Sequence, residues 1–218
     1  MRINFLGHSG FIVESEIVVV IDPFLTGNPK AGIPADGIEK ADIVLVTHSH
    51  PDHLGDAVAI AKRTRASFVS IHELTMTGEL DNEGQGMNFG GTIDVRGVPI
   101  TMVKAEHSTD IGDACGFVWK QGGKTLYHMG DTSLFSDIRL IGEIYRPDIV
   151  FVPIGDRYTM GPEQAAVATE WVGAKTIIPM HYGTFPFLVQ SADSFASMVK
   201  KRCDARVVAL NPGGTMDV

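Results

Sequence analysis

Histidines and one aspartate are concentrated in the segment Thr47–His53, which directly follows an apolar run typical of a buried strand. The segment has the pattern His-x-His-x-Asp-His, so three imidazoles and a carboxylate lie within six residues. Imidazole nitrogens and carboxylate oxygens, without thiolates, are the ligands that suit zinc, manganese or iron. Pro51 and its polar neighbours favour a loop over a helix here. The other interpretation, a polar surface loop with a few histidines, is disfavoured because so dense a pattern rarely arises by chance.

A catalytic metal site needs more donors than this segment supplies. Four side chains could close one tetrahedral site, but catalytic ions keep an open position, and two ions need about three protein ligands each. The chain offers three further donors, and each follows a predicted strand at a turn. Loops at one edge of packed sheets are typical of a rigid scaffold with a functional rim. The sequence therefore predicts seven metal ligands: His48, His50, Asp52, His53, His107, Asp131 and His181.

The first part of the chain has the pattern of short strands. β-Branched and aromatic runs separated by Gly and Ser turns predict strands at Arg2–Leu6, Phe11–Glu14 and Ile17–Ile21. The Gly- and Pro-rich stretch Asp22–Gly37 predicts a long surface loop, and loops of that length are often functional. The continuous apolar run Ile43–Val46 then predicts a strand that is buried on both faces.

Strands and helices alternate in most of the remaining chain. A helix is predicted at Gly55–Arg65, a strand at Phe68–Ile71 and a helix at Glu73–Leu80. Antiparallel strands are expected from Gly86 to His128, at Thr92–Arg96, Ile100–Lys104, Cys115–Lys120 and Lys124–His128. The final third predicts helices Leu134–Tyr145, Pro162–Val172 and Ala192–Arg202, with strands Ile149–Val152, Thr176–Pro179 and Arg206–Ala209. Two mixed β-sheets packed face to face, with helices outside both, would bury these strands. The predicted fold is an α/β (α+β) four-layer sandwich, with residues 1–218 forming one domain.

Composition and charge exclude several classes of partner. The chain has 218 residues and a net charge of −8, which offers no electrostatic footprint for nucleic acid. Cys115 and Cys203 form no CxxC pair, so free thiols in a reducing compartment are expected. The start of the sequence lacks the features of an export signal, and no apolar run is long enough to span a bilayer. We therefore expect a cytoplasmic protein without a nucleic-acid or membrane partner, and the sequence leaves its oligomeric state open.

The order and spacing of these motifs resemble the metallo-β-lactamase superfamily, from about Phe5 to Asn211. Five segments are more narrowly similar to a group of small metal-dependent hydrolases related to L-ascorbate-6-phosphate lactonase: Leu6–Gly10, Ile21–Phe24, Gly130–Thr132, Met160–Ala165 and Pro179–Thr184. The resemblance implies the αββα fold of that superfamily and two ion positions. One ion would be held by His48, His50 and His107. The other would be held by Asp52, His53 and His181, and Asp131 would bridge the two.

Hydrolysis is the chemistry expected of such a pair of ions. Two cations about 3.5–4 Å apart can deprotonate a bridging water, polarise a carbonyl or phosphoryl oxygen and hold the leaving oxygen. The expected nucleophile is that bridging hydroxide, and Asp52 can accept the proton of the water as general base. We expect two divalent ions, with zinc as the first choice and manganese or iron as alternatives. The predicted substrate is a small molecule with an ester, lactone or phosphoester bond.

Other functions on such a site are less well supported. A nucleic-acid phosphodiesterase or ribonuclease is disfavoured by the net acidity and by the absence of an RNA-clamping insertion. A redox di-iron protein or sulfur dioxygenase is disfavoured, because di-iron reductases carry a carboxylate among the first ion's ligands and a flavin module, and neither is evident in the sequence. A non-enzymatic metal-binding protein would leave an open two-metal site without a task. A true β-lactamase is disfavoured because an export signal is missing and because that chemistry needs no bridging carboxylate such as Asp131.

Several residues outside the ligand set are candidates for the pocket. His8 lies in a Gly-flanked turn and is predicted to be a substrate-binding or catalytic residue, with a structural hydrogen-bonding histidine as the alternative. Tyr182 and Thr184 flank the last predicted ligand and offer substrate-facing hydroxyls. Asp22 could orient a ligand histidine or cap a turn. The loops expected to shape the pocket are Asp22–Gly37 and Asp156–Gly161.

Overall fold

The computed structural model describes residues 1–78 and 84–218, whose strands form two seven-stranded sheets. The first sheet contains β1 (Arg2–Gly7), β2 (Gly10–Glu14), β3 (Val18–Ile21), β4 (Ile43–Leu45), β5 (Ser67–Ile71), β6 (Gly84–Met87) and β14 (Thr215–Asp217). Its order is β14-β1-β2-β3-β4-β5-β6. The pairs from β14 to β3 are antiparallel, and those from β3 to β6 are parallel.

The second sheet repeats this plan. It contains β7 (Thr92–Val95), β8 (Val98–Lys104), β9 (Cys115–Gln121), β10 (Lys124–His128), β11 (Ile149–Pro153), β12 (Thr176–Met180) and β13 (Arg206–Val207). Its order is β13-β12-β11-β10-β9-β8-β7. The pairs from β7 to β10 are antiparallel, and those from β10 to β13 are parallel.

Strand direction brings the ends of several strands to the same edge of each sheet. In the first sheet, β1 and β3 run the same way because both pair antiparallel with β2, and β4 is parallel to β3. In the second, β8 runs the same way as β10 because both pair antiparallel with β9, while β11 and β12 are parallel to β10. The loops after β1, β3 and β4 therefore share one edge, and so do the loops after β8, β10, β11 and β12.

Helices cover the outer face of each sheet. They are α1 (Pro51–Leu54), α2 (Ala57–Thr64), α3 (His72–Thr75), α4 (Ile138–Tyr145), α5 (Pro162–Val172) and α6 (Asp193–Arg202), and a short 3-10 turn spans Ala35–Gly37. α2 and α3 pack on the first sheet, while α5 packs on β11 and is flanked by α4 and α6. α5 begins with Pro162, at a position where a backbone N–H would have no hydrogen-bond acceptor within the helix. The helix is capped at its C-terminus by Gly173, which has a positive φ of 68°.

Two hydrophobic clusters fill the space between these layers. The first lies between the sheets, where Phe11 and Phe151 come from different sheets and their ring centroids are 4.4 Å apart. The second lies under the outer helices of the second sheet and includes Tyr127, Ile154 and Phe195. Full burial of each such side chain contributes about 1.5–3 kcal/mol. The four-layer arrangement of two mixed sheets and outer helices that the sequence predicts is thus confirmed.

Some local predictions differ from the structure. The expected loop at Pro51 is a single helical turn, because His50 remains extended and Pro51 takes the first helical position, where proline is tolerated. α4 begins at Ile138 instead of Leu134, and α3 is only four residues long; the predicted end of that helix at Leu80 lies outside the described residues. The sequence did not predict β6 or β14, because each strand is short and β6 contains two glycines. Among the described residues, no helix has the length and apolar character needed to cross a membrane.

Candidate metal centre

The predicted ligands follow strands that end at the shared edges. His8 follows β1, and the segment containing His48, His50, Asp52 and His53 follows β4 in the first sheet. In the second sheet, His107 follows β8, Asp131 follows β10 and His181 follows β12. Contacts between these side chains show that the two edges meet, and the structure brings all seven predicted ligands together.

Three histidines form one group, which we call the His48 cluster: His48, His50 and His107. Their potential ligand nitrogens all lie within 4.8 Å of one another. Nε2 of His48 is 3.0 Å from Nδ1 of His50. The ring of His107 lies 5.1 Å from that of His48 and 5.2 Å from that of His50. Three nitrogens that converge in this way match the three protein ligands of a catalytic metal site.

A second group, which we call the His53 cluster, contains His8, Asp52, His53 and His181. One potential ligand atom from each lies within 4.8 Å of the others. The Asp52 Oδ2 atom is 3.1 Å from His8 Nε2 and 3.8 Å from His181 Nε2. Asp52 and His53 are adjacent positions of α1, so their side chains point about 100° apart around the helix axis. This turn explains how neighbouring residues can serve different parts of one site.

Asp131 lies between the two clusters. Its Oδ1 atom is 3.2 Å from His53 Nε2, and its Oδ2 atom is 3.0 Å from His181 Nε2 and 3.7 Å from His107 Nε2. Gly130 has a φ of +64°, and an added Cβ there would overlap the carbonyl oxygen of Cys115, so only glycine fits before Asp131. A single carboxylate thus reaches members of both clusters, as a bridging ligand must.

Asp22 holds one ligand in place. Its Oδ2 atom accepts hydrogen bonds from Nδ1 of His53 at 2.7 Å and from the Thr47 hydroxyl at 2.7 Å, while Oδ1 accepts from the Thr47 amide at 2.8 Å. Because a carboxylate only accepts, Nδ1 of His53 carries a proton, so Nε2, which faces Asp131, is the nitrogen that would bind a metal ion. Of the two roles considered for Asp22, the structure shows the one that orients a ligand histidine. Thr47, which the sequence did not single out, completes this contact.

His8 is buried at the centre of the His53 cluster, with 1% of its surface exposed. Nε2 donates to Asp52, and Nδ1 lies 2.9 Å from the hydroxyl of Thr184. Its ring is also 4.1 Å from that of His181, whose amide donates to the His8 carbonyl at 2.7 Å. His8 is therefore part of the site, and it contacts Asp52 directly.

The two hydroxyl groups predicted to face the substrate have other surroundings. Thr184 is buried with 5% of its surface exposed, and its hydroxyl is engaged with His8. Tyr182 packs against the outer hydrophobic cluster of the second sheet, where burial and the nearby Asp193 raise the pKa of its phenol. Thr184 thus contacts His8, and Tyr182 packs on the hydrophobic cluster under the outer helices. Sequence spacing could not reveal this, because neighbours of a ligand in an irregular loop can point in any direction.

Three residues of the site adopt strained backbone conformations. His8 has a φ of 58°, Asp22 a φ of 45° and His181 a φ of 58°, in the left-handed region that favours glycine. Each such residue costs about 1–3 kcal/mol, and such strain collects at functional sites. The hydrogen bond from the His181 amide to the His8 carbonyl joins two of them. The surrounding structure therefore fixes these side chains at a cost in stability.

The electrostatics of the buried groups favour a positive charge between the clusters. Burial lowers the pKa of His53, but the carboxylates of Asp131 and Asp22 outweigh it and raise that pKa well above its usual value. Burial raises the pKa of Asp131, but His181 and His53 outweigh it and hold that pKa well below its usual value. For His48, burial and the nearby His53 lower the pKa. The field of the carboxylates thus favours a cation next to His53.

Unpartnered buried atoms show that a metal ion fits this site. Within the described residues, His53 Nε2 and Asp131 Oδ1 are both buried without a hydrogen-bond partner, although they face each other at 3.2 Å. Two such buried atoms left unpaired would cost several kcal/mol. A cation that both atoms bind would satisfy them. The donor set of imidazoles and carboxylates also matches zinc, manganese or iron.

Comparison with known proteins agrees with this geometry. Residues 2–181 match the family model described as beta-lactamase superfamily domain. The chain is 47% identical to a UPF0173 metal-dependent hydrolase of Archaeoglobus fulgidus, over 98% of this chain and 97% of that protein. A UPF0173 metal-dependent hydrolase of Methanopyrus kandleri is also 47% identical, over 98% of both chains. Among solved structures, Igni18, a metallo hydrolase of Ignicoccus hospitalis, is similar with a TM-score of 0.92 and 38% identity, over 99% of this chain and 97% of that one.

Proposed function

This chain belongs to the metallo-β-lactamase superfamily and is a metal-dependent hydrolase, and on that premise we propose that it hydrolyses an ester, lactone or phosphoester bond of a small molecule. The observation that carries the proposal is the position of Asp131, whose two oxygens reach both the His48 cluster and the His53 cluster. A carboxylate placed in this way supports two ions instead of one.

The residues present fit two divalent ions. His48, His50 and His107 would hold the first, while Asp52, His53 and His181 would hold the second, with Asp131 shared between them. When bound, a pair of ions activates water at neutral pH and polarises the scissile carbonyl or phosphoryl group. We propose zinc as the natural metal, because it accepts this nitrogen and oxygen ligand set without redox chemistry. Manganese and iron are the alternatives.

The chain's own residues would orient the reactants and move a proton. The Asp52 side chain is 31% exposed, in contrast to the buried His8, so it is the carboxylate through which the His53 cluster reaches solvent. Burial raises the pKa of Asp52, but the hydrogen bond from His8 and the charge of His53 outweigh it and hold that pKa well below its usual value. Asp52 is therefore ionised, as a metal ligand must be. We propose its exposed oxygen as the acceptor of the water's proton on position alone, since a low pKa makes a carboxylate a weaker base. We assign His8 to positioning, since its Nε2–H fixes the Asp52 oxygen.

The proposal is tested by metal analysis joined to an activity screen. The chain is stripped of metal, reloaded separately with zinc, manganese or iron(II), and assayed on matched sets of lactones, carboxylic esters and phosphodiesters. We expect about two ions per chain and turnover of at least one of these substrate classes, which a chelator abolishes and metal restores. Occupancy that saturates at one ion contradicts the two-ion site, and turnover that survives complete chelation contradicts the metal-dependent mechanism.

A further inference from the structure

A surface of three aromatic rings and a guanidinium extends outward from the His53 cluster. We call it the aromatic rim, and its members are Arg157, Tyr158, Phe185 and Phe187. The Phe185 ring is 5.8 Å from His8, and Phe187 stacks on Phe185 with centroids 5.5 Å apart and planes 11° apart. Tyr158 meets Phe187 edge to face at 5.8 Å. The rim thus forms an unbroken series of ring contacts from the candidate metal centre to the protein surface.

The outer part of the aromatic rim is open to solvent. Tyr158 is 53% exposed and Phe187 is 49% exposed. Single exposed aromatic residues are common, but a contiguous exposed apolar patch often marks a binding site. Here the patch adjoins a site of buried, converging polar groups, and this combination is typical of ligand pockets.

Arg157 supplies a cation at the outer end of this surface. Its guanidinium carbon lies 5.5 Å from the Tyr158 ring and 5.4 Å from the Phe187 ring. Within residues 1–78 and 84–218, no carboxylate forms an ion pair with Arg157. A guanidinium held by ring faces keeps its planar fork of N–H donors available for an anionic oxygen group.

Backbone hydrogen bonds fix the two loops that carry the rim. Those loops follow β11 and β12, on the edge where the metal ligands lie. The Val189 amide donates to the Gly155 carbonyl at 3.1 Å and joins one loop to the other. The Met160 amide donates to the Thr132 carbonyl at 3.1 Å and joins the first loop to the segment that follows Asp131. The rim is therefore built before any ligand arrives, which reduces the entropy cost of binding.

A second pair of an arginine and an aromatic ring lies elsewhere in the molecule, away from the candidate metal centre. The Arg139 guanidinium lies 5.1 Å from the Trp171 ring, between α4 and α5. The cavity of about 640 Å³ that these residues line also contains Glu143 and Asp148, and none of the ligand residues lines it. Arginine over an aromatic ring is therefore not by itself a sign of substrate binding. Location beside the metal centre distinguishes Arg157.

We propose that the aromatic rim is the substrate-recognition surface of this site and that it selects organic anions. The planar or apolar body of the substrate would pack on Phe185, Phe187 and Tyr158, and an anionic oxygen group at its far end would pair with Arg157. In a protein with a net charge of −8, a local cation of this kind favours the binding of a negatively charged substrate at this place. The proposal rests on the hydrolytic function proposed above.

A binding experiment tests the rim without requiring turnover. The fluorescent anion 8-anilinonaphthalene-1-sulfonate and its uncharged analogue N-phenyl-1-naphthylamine are titrated into the metal-free and the metal-loaded chain. Arg157→Gln should weaken binding of the sulfonate roughly threefold to tenfold and leave the neutral dye within about twofold, because only the anion uses the guanidinium. Phe187→Leu should weaken both dyes, because it removes ring surface that each of them covers.

Arg139→Gln is the matched control, since it also removes a guanidinium from an aromatic face. It should leave both dyes unaffected. The proposal is overturned if Arg157→Gln weakens the two dyes equally, or if Arg139→Gln has the same selective effect as Arg157→Gln. Melting temperatures of all variants accompany the titrations, so that a folding defect is separated from a loss of binding.

Kinetics on a matched pair of esters extends the test to catalysis. Mono-4-nitrophenyl adipate and 4-nitrophenyl hexanoate share a six-carbon acyl chain and differ in the terminal carboxylate. Arg157→Gln should raise KM for the adipate roughly threefold to tenfold, with kcat within about twofold and with the hexanoate unchanged. Failure of the metal-loaded wild type to hydrolyse either ester would count against ester hydrolysis alone, because the dye titrations decide the rim independently. An equal effect of Arg157→Gln on both esters would overturn the rim proposal.

Discussion

The two ligand clusters differ in how firmly the protein holds them. In the His53 cluster, further side chains brace the candidate ligands: Asp22 binds His53, and Thr184 binds His8, which in turn binds Asp52. In the His48 cluster, the Thr47 hydroxyl lies 3.0 Å from His48, while among the described residues no hydrogen bond joins the ring of His50 or His107 to a side chain outside the cluster. Braced ligands stay in position without metal, whereas unbraced ligands can move apart. The His53 cluster should therefore hold its ion more tightly.

The largest loss of metal binding and activity is expected from substitution of Asp131, which contacts both clusters. Asp131→Ala removes the only carboxylate that reaches both groups among the described residues, so both ions should bind more weakly. Occupancy should fall below one ion per chain at equimolar metal, and kcat/KM should fall roughly 10³-fold or more, since metal ions contribute several kcal/mol to transition-state stabilisation. Metal analysis and kinetics measure both quantities. Two ions retained at full occupancy would contradict the bridging role.

Paired substitutions, one ligand in each cluster, test whether the His53 cluster binds its ion more tightly than the His48 cluster. His107→Asn removes a ligand from the His48 cluster, and His181→Asn does the same in the His53 cluster, where asparagine tolerates the positive φ of position 181. Each variant should keep about one ion. The ion that remains in His107→Asn occupies the braced cluster, so its Kd should be roughly tenfold lower than that of the ion remaining in His181→Asn. Calorimetric titration measures both constants, and the reverse order would overturn the comparison.

A smaller loss of metal affinity is expected from substitution of Asp22, which holds His53 in place. In Asp22→Asn, the amide N–H₂ would face Nδ1 of His53, so a neutral imidazole would carry its proton on Nε2 and lose the lone pair that a metal ion needs there. Metal affinity should fall roughly 10- to 100-fold, as is usual for residues that orient metal-binding histidines. Asp42→Asn is the control, because Asp42 accepts a hydrogen bond from the Val18 amide away from the metal centre. An equal loss of affinity in both variants would show that Asp22 acts through general stability.

The same comparison explains what the sequence could and could not predict. The convergence of the candidate ligands was predictable because the segments that carry them follow β-strands, and strand direction collects those segments at one edge of each sheet. The brace from Asp22 appeared only as one of two alternatives, because its partner is His53, which lies 31 residues later. The helical turn at Pro51 and the orientation of Tyr182 depend on packing that has no local pattern. The aromatic rim joins two loops from different strands, so no spacing along the chain could have revealed it.

His8 provides a test within the His53 cluster. His8→Asn keeps a side chain that tolerates the φ of 58° but is too short to span both Asp52 and Thr184. If His8 positions Asp52, kcat should fall roughly 10- to 100-fold while the metal content stays near two ions per chain. The loss of buried hydrogen bonds should also lower the free energy of unfolding by about 1–3 kcal/mol. Unchanged kcat in the folded, metal-loaded variant would contradict the positioning role.

The smallest effect is expected from Thr184, which acts one step further from the metal. Thr184→Val keeps the shape of the side chain but removes the hydroxyl that contacts Nδ1 of His8 at 2.9 Å. His8 could then turn within its pocket, and kcat should fall roughly threefold to tenfold, the value of about one hydrogen bond. A double variant of Thr184→Val and His8→Asn distinguishes an effect of Thr184 through His8 from an effect that does not involve His8. If Thr184 acts through His8, adding Thr184→Val to His8→Asn should lower kcat no further, because residues that share one contact are not additive. An additional threefold to tenfold loss in the double variant would show that Thr184 contributes to the site without His8.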